Sequence, residues 1–394
     1  MLTTISGIHA LSDTGIRQTG YSVTLKYMYR VSESRPGTAT MHVRRHILAR
    51  LLFVVMAFIA TAQPCHAFSL ALDSIASWGR FPNFCIKTYR WGDRFFNSYD
   101  STYVVGTGTK FNVKFKTDSW IDHYLFELEN DTRINMVSDA STAMGAYLTY
   151  LAVSVGYDIN ISRYFNGNTK SRKRFNFAFN CALFGADMYI YDNNIGTTIT
   201  RFGHRGDPDK VHIPFKGLDN KAFGLDLYYF LNNKRYSQAA AFNFSKIQRR
   251  SQGSWYFGFT YLNERYQFNF SGLDDVYKNQ LPGSWNDYTY HVRVKNYFAK
   301  VGYGYNWVLG RHWLVGVSES PMFGVRNGVV NATEKKNTFG AYNLFRVSGV
   351  YNRRNLFTGL VCRISTSLIR DKESMMISNM MSFELSVGYR FNLW

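Results

Sequence analysis

The densest group of side chains that could do chemistry is the short run His204-Arg205-Gly206-Asp207, followed closely by His212. Imidazole and carboxylate groups at this spacing could hold a metal ion or an anion. The surrounding glycine and proline are typical of a solvated loop, and a loop without a ligand is the favoured interpretation. No histidine lies in a GxSxG, HxSxxG or HExxH pattern. We therefore predict no catalytic residue, no metal or cofactor site and no enzyme.

A second set of charged residues alternates with apolar ones along predicted strands. If the apolar residues face lipid, the charges face a lumen; the candidate lumen-lining residues are Lys110, Lys114, Lys116, Glu127, Asp226, Lys300, Arg346, Arg363, Glu384 and Arg390. Such charges are costly to bury unless they are paired, so they must contact water or one another. A wet lumen would make a pore with excess positive charge and a mild preference for anions. A paired network would make a closed structural barrel, and the sequence allows both.

The composition limits the class of protein. The chain has 394 residues, of which 17% are aromatic and only 7 are proline. After residue 67 no apolar run approaches the roughly 20 residues that a spanning helix needs, which excludes a helical membrane protein. The net charge is +19, or about +14 without the first 67 residues. Because the basic residues occur singly or in short loop clusters without a recognition motif, we predict no nucleic-acid partner.

Alternating apolar and polar residues predict strands along most of the chain beyond residue 108. The clearest segments are Phe111–Thr117, one long strand over 146–161, Phe175–Leu183, Phe223–Leu231, a short strand containing Phe242 and Phe244, Trp255–Tyr261, Val301–Trp307 and Phe383–Leu393. Long strands with aromatic residues at their ends favour a membrane barrel over a soluble sandwich. The predicted fold is all-β, a transmembrane antiparallel up-and-down β-barrel of about 12 strands, with 10 to 14 left open.

The lengths of the connections support the barrel in part. Short turns near 309–312 and 353–355 alternate with long connections at 271–295, 326–338 and 370–380. This places the long loops outside the cell and the end of the chain in the periplasm. Residues 191–221 break the alternation, so either a strand near Thr197–Phe202 is missing from the count or the count is wrong elsewhere.

The first 108 residues divide into three segments. Residues 1–40 are predicted to be a disordered upstream extension from a start assigned too early, with Met41 the true start. Residues 41–67 are predicted to be a signal peptide, because a basic stretch precedes an apolar run of about 12 residues and Ala67 ends a cleavage site. Lipidation of Cys65 is the less favoured alternative. Residues 68–108 are predicted to be a periplasmic or plug-like segment before a barrel over 109–394.

Two smaller features complete the prediction. Asp93 and Arg94 stand between aromatic residues, and a packed ion pair is favoured over a ligand-binding role. Cys85, Cys181 and Cys362 are widely spaced without a CxxC motif, so at most one disulfide is expected.

Several motifs resemble a known family. They are the run Tyr89-Arg90-Trp91-Gly92-Asp93-Arg94-Phe95-Phe96-Asn97, the pairs Tyr99-Asp100 and Tyr103-Val104, the stretch Val153-Ser154-Val155-Gly156-Tyr157 and the ending Gly388-Tyr389-Arg390-Phe391-Asn392-Leu393. They are similar to a family of uncharacterised outer-membrane proteins from Bacteroides and relatives, known only as a domain of unknown function. The resemblance covers roughly residues 75–394. It implies an outer-membrane barrel and supplies no catalytic residue.

Three functions fit these observations. The first is a non-catalytic barrel in the outer membrane of a Gram-negative cell that passes or binds a small solute, with anions favoured. The second is a structural or surface-interaction barrel, and the third, less favoured, is a lipid-modifying enzyme. The expected partners are outer-membrane lipid and, through the C-terminal strand, the barrel-assembly machinery.

Overall fold

A computed structural model describes residues 98–150, 153–162, 172–193, 196–283, 286–330, 336–370 and 374–392. The predicted signal peptide and the pair Asp93 and Arg94 lie outside the described residues. The strands are β1 (Val104–Gly106), β2 (Phe111–Glu127), β3 (Thr132–Ser138), β4 (Ser141–Tyr150), β5 (Val153–Asn160), β6 (Arg172–Asn180), β7 (Phe184–Asn193), β8 (Thr197–His204), β9 (Asp209–Phe215), β10 (Leu218–Phe230), β11 (Lys246–Gln248), β12 (Gln252–Asn269), β13 (Thr289–Leu309), β14 (Trp313–Val330), β15 (Lys336–Arg353), β16 (Leu356–Arg370) and β17 (Met375–Phe391).

Twelve of these strands close into an antiparallel barrel, in the order β2, β4, β5, β6, β7, β10, β12, β13, β14, β15, β16 and β17. The last strand pairs with the first along its whole length, from Met375 opposite Glu127 to Phe391 opposite Phe111. Closure leaves no unpaired edge in this ring, as a barrel surrounded by lipid requires. The predicted fold class and strand number are confirmed.

Side chains alternate between the two surfaces of the barrel wall. On β13 the even-numbered residues are buried, while odd-numbered ones such as Tyr297, Val301 and Trp307 are exposed and point outward. A strand presents successive side chains to opposite faces, so one periodicity defines both an apolar outer surface and an inner surface.

Three strands form a sheet that continues from one edge of β2. Residues 111–120 of β2 pair with β4, whereas residues 123–127 pair with β3. β3 then pairs with β8, and β8 with β9. On this edge of β2 the partner therefore changes near residue 121, from β4 to β3, while its other edge stays paired with β17 throughout.

Two predicted strands are corrected by the structure. The run predicted as one strand over 146–161 contains the paired strands β4 and β5, with Tyr150 opposite Val153. The apolar parity continues through the turn, which hid the hairpin in the sequence. Phe242 and Phe244 belong to no strand: Phe242 lies in the π-helix Ala239–Asn243, and Phe244 caps it.

The connections assign the two ends of the barrel. Residues 181–183, 310–312 and 354–355 are tight connections at one end, which we call the short-turn end. The connection over 194–217, which contains β8 and β9, lies at the opposite end, the long-loop end, with residues 270–288. The predicted strands omit β8, which begins at Thr197. They also treat 146–161 as one strand where there are two, and this error exchanges the expected ends of the barrel for the connections that follow. The long connection at the short-turn end is 231–251.

The described helices are short. They are the π-helix Ala239–Asn243, the α-helix α1 (Asp275–Lys278) and the 3-10 turn Asn286–Tyr288. Within the part of the chain that the structure describes, no helix has the length and hydropathy to cross a bilayer.

Candidate functional site in the barrel interior

The connection between β10 and β12, residues 231–251, folds back into the barrel, and we call it the plug segment. Its side chains Tyr236, Ala240, Ala241 and Phe244 are at most 1% exposed. They pack against inward-facing positions of β13, β14 and β16. The plug segment therefore occupies the interior at the short-turn end.

Glycines on the inner wall make room for the plug segment. A Cβ atom on Gly304 of β13 would lie 2.2 Å from the Tyr236 hydroxyl oxygen. One on Gly359 of β16 would lie 2.3 Å from the Phe244 ring. These distances are far below van der Waals contact, so any larger residue would displace the plug segment. The inner wall therefore has glycine where the side chains of the plug segment contact it.

Arg390 of β17 fastens the end of the π-helix. Its Nε and Nη2 atoms donate to the Phe244 carbonyl oxygen at 3.1 and 2.5 Å, and Nη2 also donates to Asn352 Oδ1 at 2.6 Å. The guanidinium lies 4.5 Å from the centre of the Phe357 ring. Phe244 has a left-handed φ of 62°, which costs a side-chain-bearing residue about 1–3 kcal/mol. The bonds from Arg390 offset that strain.

Polar and cation–π contacts hold the rest of the plug segment. Asn306 Nδ2 of β13 donates to the Ser237 carbonyl oxygen at 2.9 Å and to Gln248 Oε1 at 3.2 Å. The Arg346 guanidinium of β15 lies 4.5 Å from the centre of the Phe242 ring. Wall residues therefore satisfy polar groups that would otherwise be buried without partners.

The described part of the predicted plug-like segment 68–108 covers the plug segment from the short-turn end. β1 pairs with β11, and the Arg249 N–H donates to the Tyr103 carbonyl oxygen at 2.6 Å. Hydrogen bonds from the Thr102 hydroxyl and backbone N–H lower the pKa of the exposed Asp100 carboxyl, which stabilises this turn in its ionised form. The prediction for residues 68–97 falls outside the described residues.

Above the plug segment, Glu384 of β17 is the centre of an ion network and is only 1% exposed. Its carboxylate lies 3.3 Å from Lys114 Nζ, 3.5 Å from Lys116 Nζ and 2.8 Å from Arg363 Nη2. The Ser386 hydroxyl donates to it at 2.7 Å. A carboxylate with this many charged donors satisfies the condition under which buried charge is tolerated.

The network continues across the barrel. Lys116 Nζ also lies 3.6 Å from Asp118 Oδ2 and 3.4 Å from Asp158 Oδ2. Beside these carboxylates is a small cavity with room for about one water molecule. It is lined by Asp118, Trp120, Ala143, Asp158 and Arg174.

A second group of charges lies on β7, β10 and β13. Lys300 Nζ is ion-paired with Asp226, which also accepts a hydrogen bond from the Thr260 hydroxyl at 2.8 Å. The Tyr228 hydroxyl donates to Asp187 Oδ2 at 2.9 Å. The Asp187 and Asp226 carboxylates thus each accept hydrogen bonds from side chains of neighbouring barrel strands.

A third group marks the upper limit of the polar interior. Glu264 accepts hydrogen bonds from the Tyr266 hydroxyl and from Asn296 Nδ2, each at 2.9 Å. Arg326 Nε donates to Asn296 Oδ1 at 2.6 Å, and its Nη1 to the Leu368 carbonyl oxygen at 2.8 Å.

Beyond this group the interior at the long-loop end is an apolar core. The barrel strands and the sheet of β3, β8 and β9 both contribute to it. It contains Tyr124, Phe126, Leu128, Ile134, Met136, Ile199, Phe202, Phe215, Leu218, Tyr266, Phe268, Phe270, Leu273, Leu281, Tyr290, Val292, Val294, Ile369 and Met376. We call this set the upper core. The described interior is therefore occupied at both ends and bridged by paired charges between them.

Among the inward-facing side chains that the structure describes, basic and acidic residues are nearly equal in number. The basic ones are Lys114, Lys116, Arg174, Lys300, Arg326, Arg346, Arg363 and Arg390, and the acidic ones are Asp118, Asp122, Asp158, Asp187, Asp226, Glu264 and Glu384. The candidates from the sequence held seven basic and three acidic residues. The described inward side chains thus carry an excess of one positive charge, against four among the candidates.

Eight of the ten predicted lumen residues lie on inward-facing positions. The two exceptions are Lys110 and Glu127. Lys110 precedes β2 at the short-turn end, where its N–H donates to Asn392 Oδ1 at 2.7 Å. Glu127 shares the outward parity of Phe115 and is ion-paired with Arg205 at 2.5 Å. The prediction assumes that apolar residues face lipid along the whole strand, whereas Tyr124 and Phe126 face the upper core.

Further inward charges that are absent from the predicted set share the alternation of their strands, which is visible in the sequence. Asp118 continues the even parity of Lys114 and Lys116, and Asp158 lies between the outward Tyr157 and Ile159. Extending each alternation through its charged residues would have found them. Their pairing across strands depends on register, which the alternation alone does not determine.

The histidine cluster lies at the turn between β8 and β9. His204 Nε2 lies 2.9 Å from Asp131 Oδ2, and both side chains are largely exposed, at 75% and 56%. Among the described residues, no group of three or more His, Cys, Asp or Glu side chains is arranged to hold a metal ion. Cys181 and Cys362 are free thiols.

The chain belongs to the family described as a domain of unknown function (DUF4421), which its sequence matches over residues 98–391. No curated protein matches the sequence.

Solved outer-membrane barrels are similar in fold at low identity. The outer-membrane protease OmpT from Escherichia coli is 7% identical, with a TM-score of 0.36 over 73% of this chain and 98% of that one. An outer-membrane channel from Pseudomonas putida F1 is 6% identical, with a TM-score of 0.34 over 71% and 96%. The P. putida toluene transporter TodX is 7% identical, with a TM-score of 0.27 over 72% of this chain and 90% of that one. Resemblances this distant carry no inference about activity.

Proposed function

We propose that this protein is an integral outer-membrane barrel with a sealed interior, whose role is surface interaction at the long-loop end. The observation that carries the proposal is the filled interior. The plug segment, the Glu384 network and the upper core follow one another along the barrel, and Glu384 is only 1% exposed. A conducting pore needs a continuous water-filled path lined by exposed polar groups.

The outer surface supports a membrane location. On β13 the outward residues from Tyr297 to Leu309 are apolar or aromatic without interruption. At about 3.3 Å per residue and a tilt of about 40°, this run spans about 30 Å along the barrel axis. A bilayer core is about 30 Å thick. Above Tyr297 the outward residues Lys295, Arg293 and His291 are polar, so the strand projects beyond the membrane.

The chain direction in the membrane follows from the connections. Bacterial barrels place short turns in the periplasm and long loops outside. The plug segment and the described N-terminal residues then lie on the periplasmic side. The upper core, the sheet of β3, β8 and β9 and helix α1 lie outside the cell. The closing strand β17 is the element through which we expect the barrel-assembly machinery to engage the chain.

The compact outer end favours interaction over transport. Its core is closed by aromatic contacts such as Phe126 against Phe268, with ring centroids 4.8 Å apart, and Phe202 against Tyr277, at 5.2 Å. A rigid folded platform above the membrane can present loops to a partner. The proposal assigns no catalytic residue.

Two measurements test the proposal. The full chain, refolded in detergent, should migrate differently on a gel before and after heating, and it should be silent in a planar bilayer. Stable single channels from the unaltered chain would contradict the sealed interior. Migration that does not change on heating, with recovery in the soluble periplasm, would contradict the barrel in a membrane.

A variant sharpens the conductance test. Replacing residues 236–245 by glycine and serine should open the short-turn end, while the upper core and the ion network remain. Silent membranes are still expected, because two barriers stay in place. Steady conductance in this variant would mean that the plug segment alone seals the barrel.

That outcome would favour a second function, gated passage of a small solute. The observation in its favour is the plug segment itself, a single connection seated against Gly304 and Gly359. The test is liposome swelling with small sugars and small anions. Swelling only with the plug-replaced variant would support a gate, and no swelling with either chain would argue against it.

A further inference from the structure

A row of exposed basic residues lies on the outward face near the long-loop end. It consists of Lys221 on β10, Arg265 on β12, and Arg293 and Lys295 on β13, and we call it the basic row. Each is exposed, and each has the outward parity of its strand. These side chains point sideways from the barrel rather than into a loop or the lumen.

The strand register brings the basic row together. Lys221 is directly opposite Arg265, and Arg265 is directly opposite Arg293. Directly opposite residues have Cβ atoms about 5 Å apart, and like charges at such positions are destabilising. A bound anion beside the basic row would reduce this electrostatic repulsion.

Acidic neighbours compensate only part of the charge. Lys221 Nζ lies 3.4 Å from Asp192 Oδ2, and both side chains are about half exposed. Asp219 occupies the next outward position along β10, opposite Gln267. Arg265, Arg293 and Lys295 form no ion pair with any described residue. The patch keeps a net positive charge toward its surroundings.

The basic row lies at the upper border of the apolar belt. Tyr261 and Tyr297, with ring centroids 5.3 Å apart, are the next aromatic residues below it on β12 and β13. In a membrane barrel such aromatic residues mark the level of the lipid headgroups. Basic groups just above them would meet phosphate groups.

We propose that the basic row binds the phosphate of an anionic lipid in the outer leaflet, with the acyl chains lying along the aromatic surface below. This inference rests on the proposed membrane location. Guanidinium groups match phosphate oxygens with two parallel hydrogen bonds, and Arg265 and Arg293 supply two such groups side by side. The lateral direction of the row favours a lipid over a soluble anion.

The test uses the full chain in phosphatidylcholine nanodiscs doped with phosphatidic acid. Native mass spectrometry counts the phosphatidic acid retained by the barrel. The double variant Arg265→Gln with Arg293→Gln should weaken retention about 30-fold, since each of the two basic groups near a lipid surface contributes about 1 kcal/mol. The matched control is Arg370→Gln, an exposed outward residue of β16 opposite Met375, which should leave retention unchanged.

The outcomes separate this inference from the proposed function. Equal retention by the double variant and the unaltered chain would overturn the lipid site. If inorganic phosphate displaced the lipid at low millimolar concentration, the site would be one for a free anion, and the inference would also be wrong. A barrel that folds and inserts but shows no lipid preference leaves the membrane location standing. A chain that fails to insert contradicts the membrane location itself.

Discussion

The inward face of β2 is polar in the half next to the short turns and apolar in the half next to the long loops. Lys114, Lys116 and Asp118 are followed on the same face by Tyr124 and Phe126. The outward face changes in the opposite sense, from Phe115 to Glu127. One strand therefore contains two environments.

The surroundings of the barrel explain this difference. Where lipid surrounds the wall, apolar side chains point outward, and the interior can hold charges if they are paired. Where the wall projects into water, the usual order of a soluble protein returns, with an apolar core and a polar surface. In the proposed membrane orientation, the change of face on β2 lies near the upper border of the lipid.

The largest expected effect is on the ion network. Glu384→Gln removes the carboxylate charge that Lys114, Lys116 and Arg363 share. Lys116 keeps Asp118 and Asp158, but Lys114 and Arg363 lose the carboxylate with which they pair. Because their charges then stay in the barrel interior without that partner, we expect a loss of about 3–5 kcal/mol in the free energy of unfolding. Urea unfolding followed by gel migration measures it. Ser386→Ala is the control, at about 1 kcal/mol; equal losses in the two variants would refute a shared counter-charge.

The next effect tests the upper core. Ile199 of β8 is fully buried, and Ile199→Ala should cost about 3 kcal/mol. We expect faster proteolysis of the long-loop end while heat-dependent migration persists. Ile159→Ala removes an outward side chain that is 56% exposed and should cost much less. Equal losses of stability in both variants would contradict the proposed difference between a long-loop end with an apolar core in water and a belt whose apolar residues face lipid.

A smaller effect of opposite sign is expected at Glu319 of β14. This outward residue interrupts the apolar belt, and it accepts a hydrogen bond from Asn343 Nδ2 at 3.3 Å. Glu319→Leu should raise the free energy of unfolding in lipid vesicles by about 1–2 kcal/mol, since an acidic group facing lipid is unfavourable. Glu319→Gln should give a smaller gain. A loss of stability in both variants would place Glu319 in a structural contact.

The smallest effect concerns the ion pair between Arg205 and Glu127. These side chains are 57% and 14% exposed at the long-loop end. Arg205→Gln should change the unfolding free energy by about 0.5 kcal/mol, because exposed ion pairs are weak. Chemical unfolding at low and high salt provides the check. A loss comparable to that of Glu384→Gln would erase the distinction between paired charges in water and in the sealed interior.

Much of the fold followed from alternation alone. The periodicity of segments such as Phe223–Leu231 and Phe383–Leu393 predicted the barrel and its strand number, because one face must meet lipid and the other must not. Eight of its ten candidate lumen residues lie at inward-facing strand positions. Alternation also predicted a strand at Phe242 and Phe244, and this was wrong. Phe242 lies in a π-helix and Phe244 caps it, so two aromatic residues spaced by two do not by themselves identify a strand.

Other features depend on contacts between residues distant in sequence. The plug segment is held by Asn306 and Arg390, which follow Ser237 and Phe244 by 69 and 146 residues. The split of β2 between β4 and β3 depends on which partner each half finds. Local propensity describes neither event, because both are decided by packing across the barrel.

The seat of the plug segment has a consequence for the timing of assembly. Arg390, which fastens Phe244, belongs to the strand that closes the ring against β2. Once that seam is paired along all of β17, the plug segment can enter only from the short-turn end, past β1 and its own flanking residues. These contacts favour an order in which the plug segment is in place first and β17 pairs with β2 afterwards, around an interior that is already filled. In that order, β17 completes its pairing with β2 only after the plug segment occupies the short-turn end.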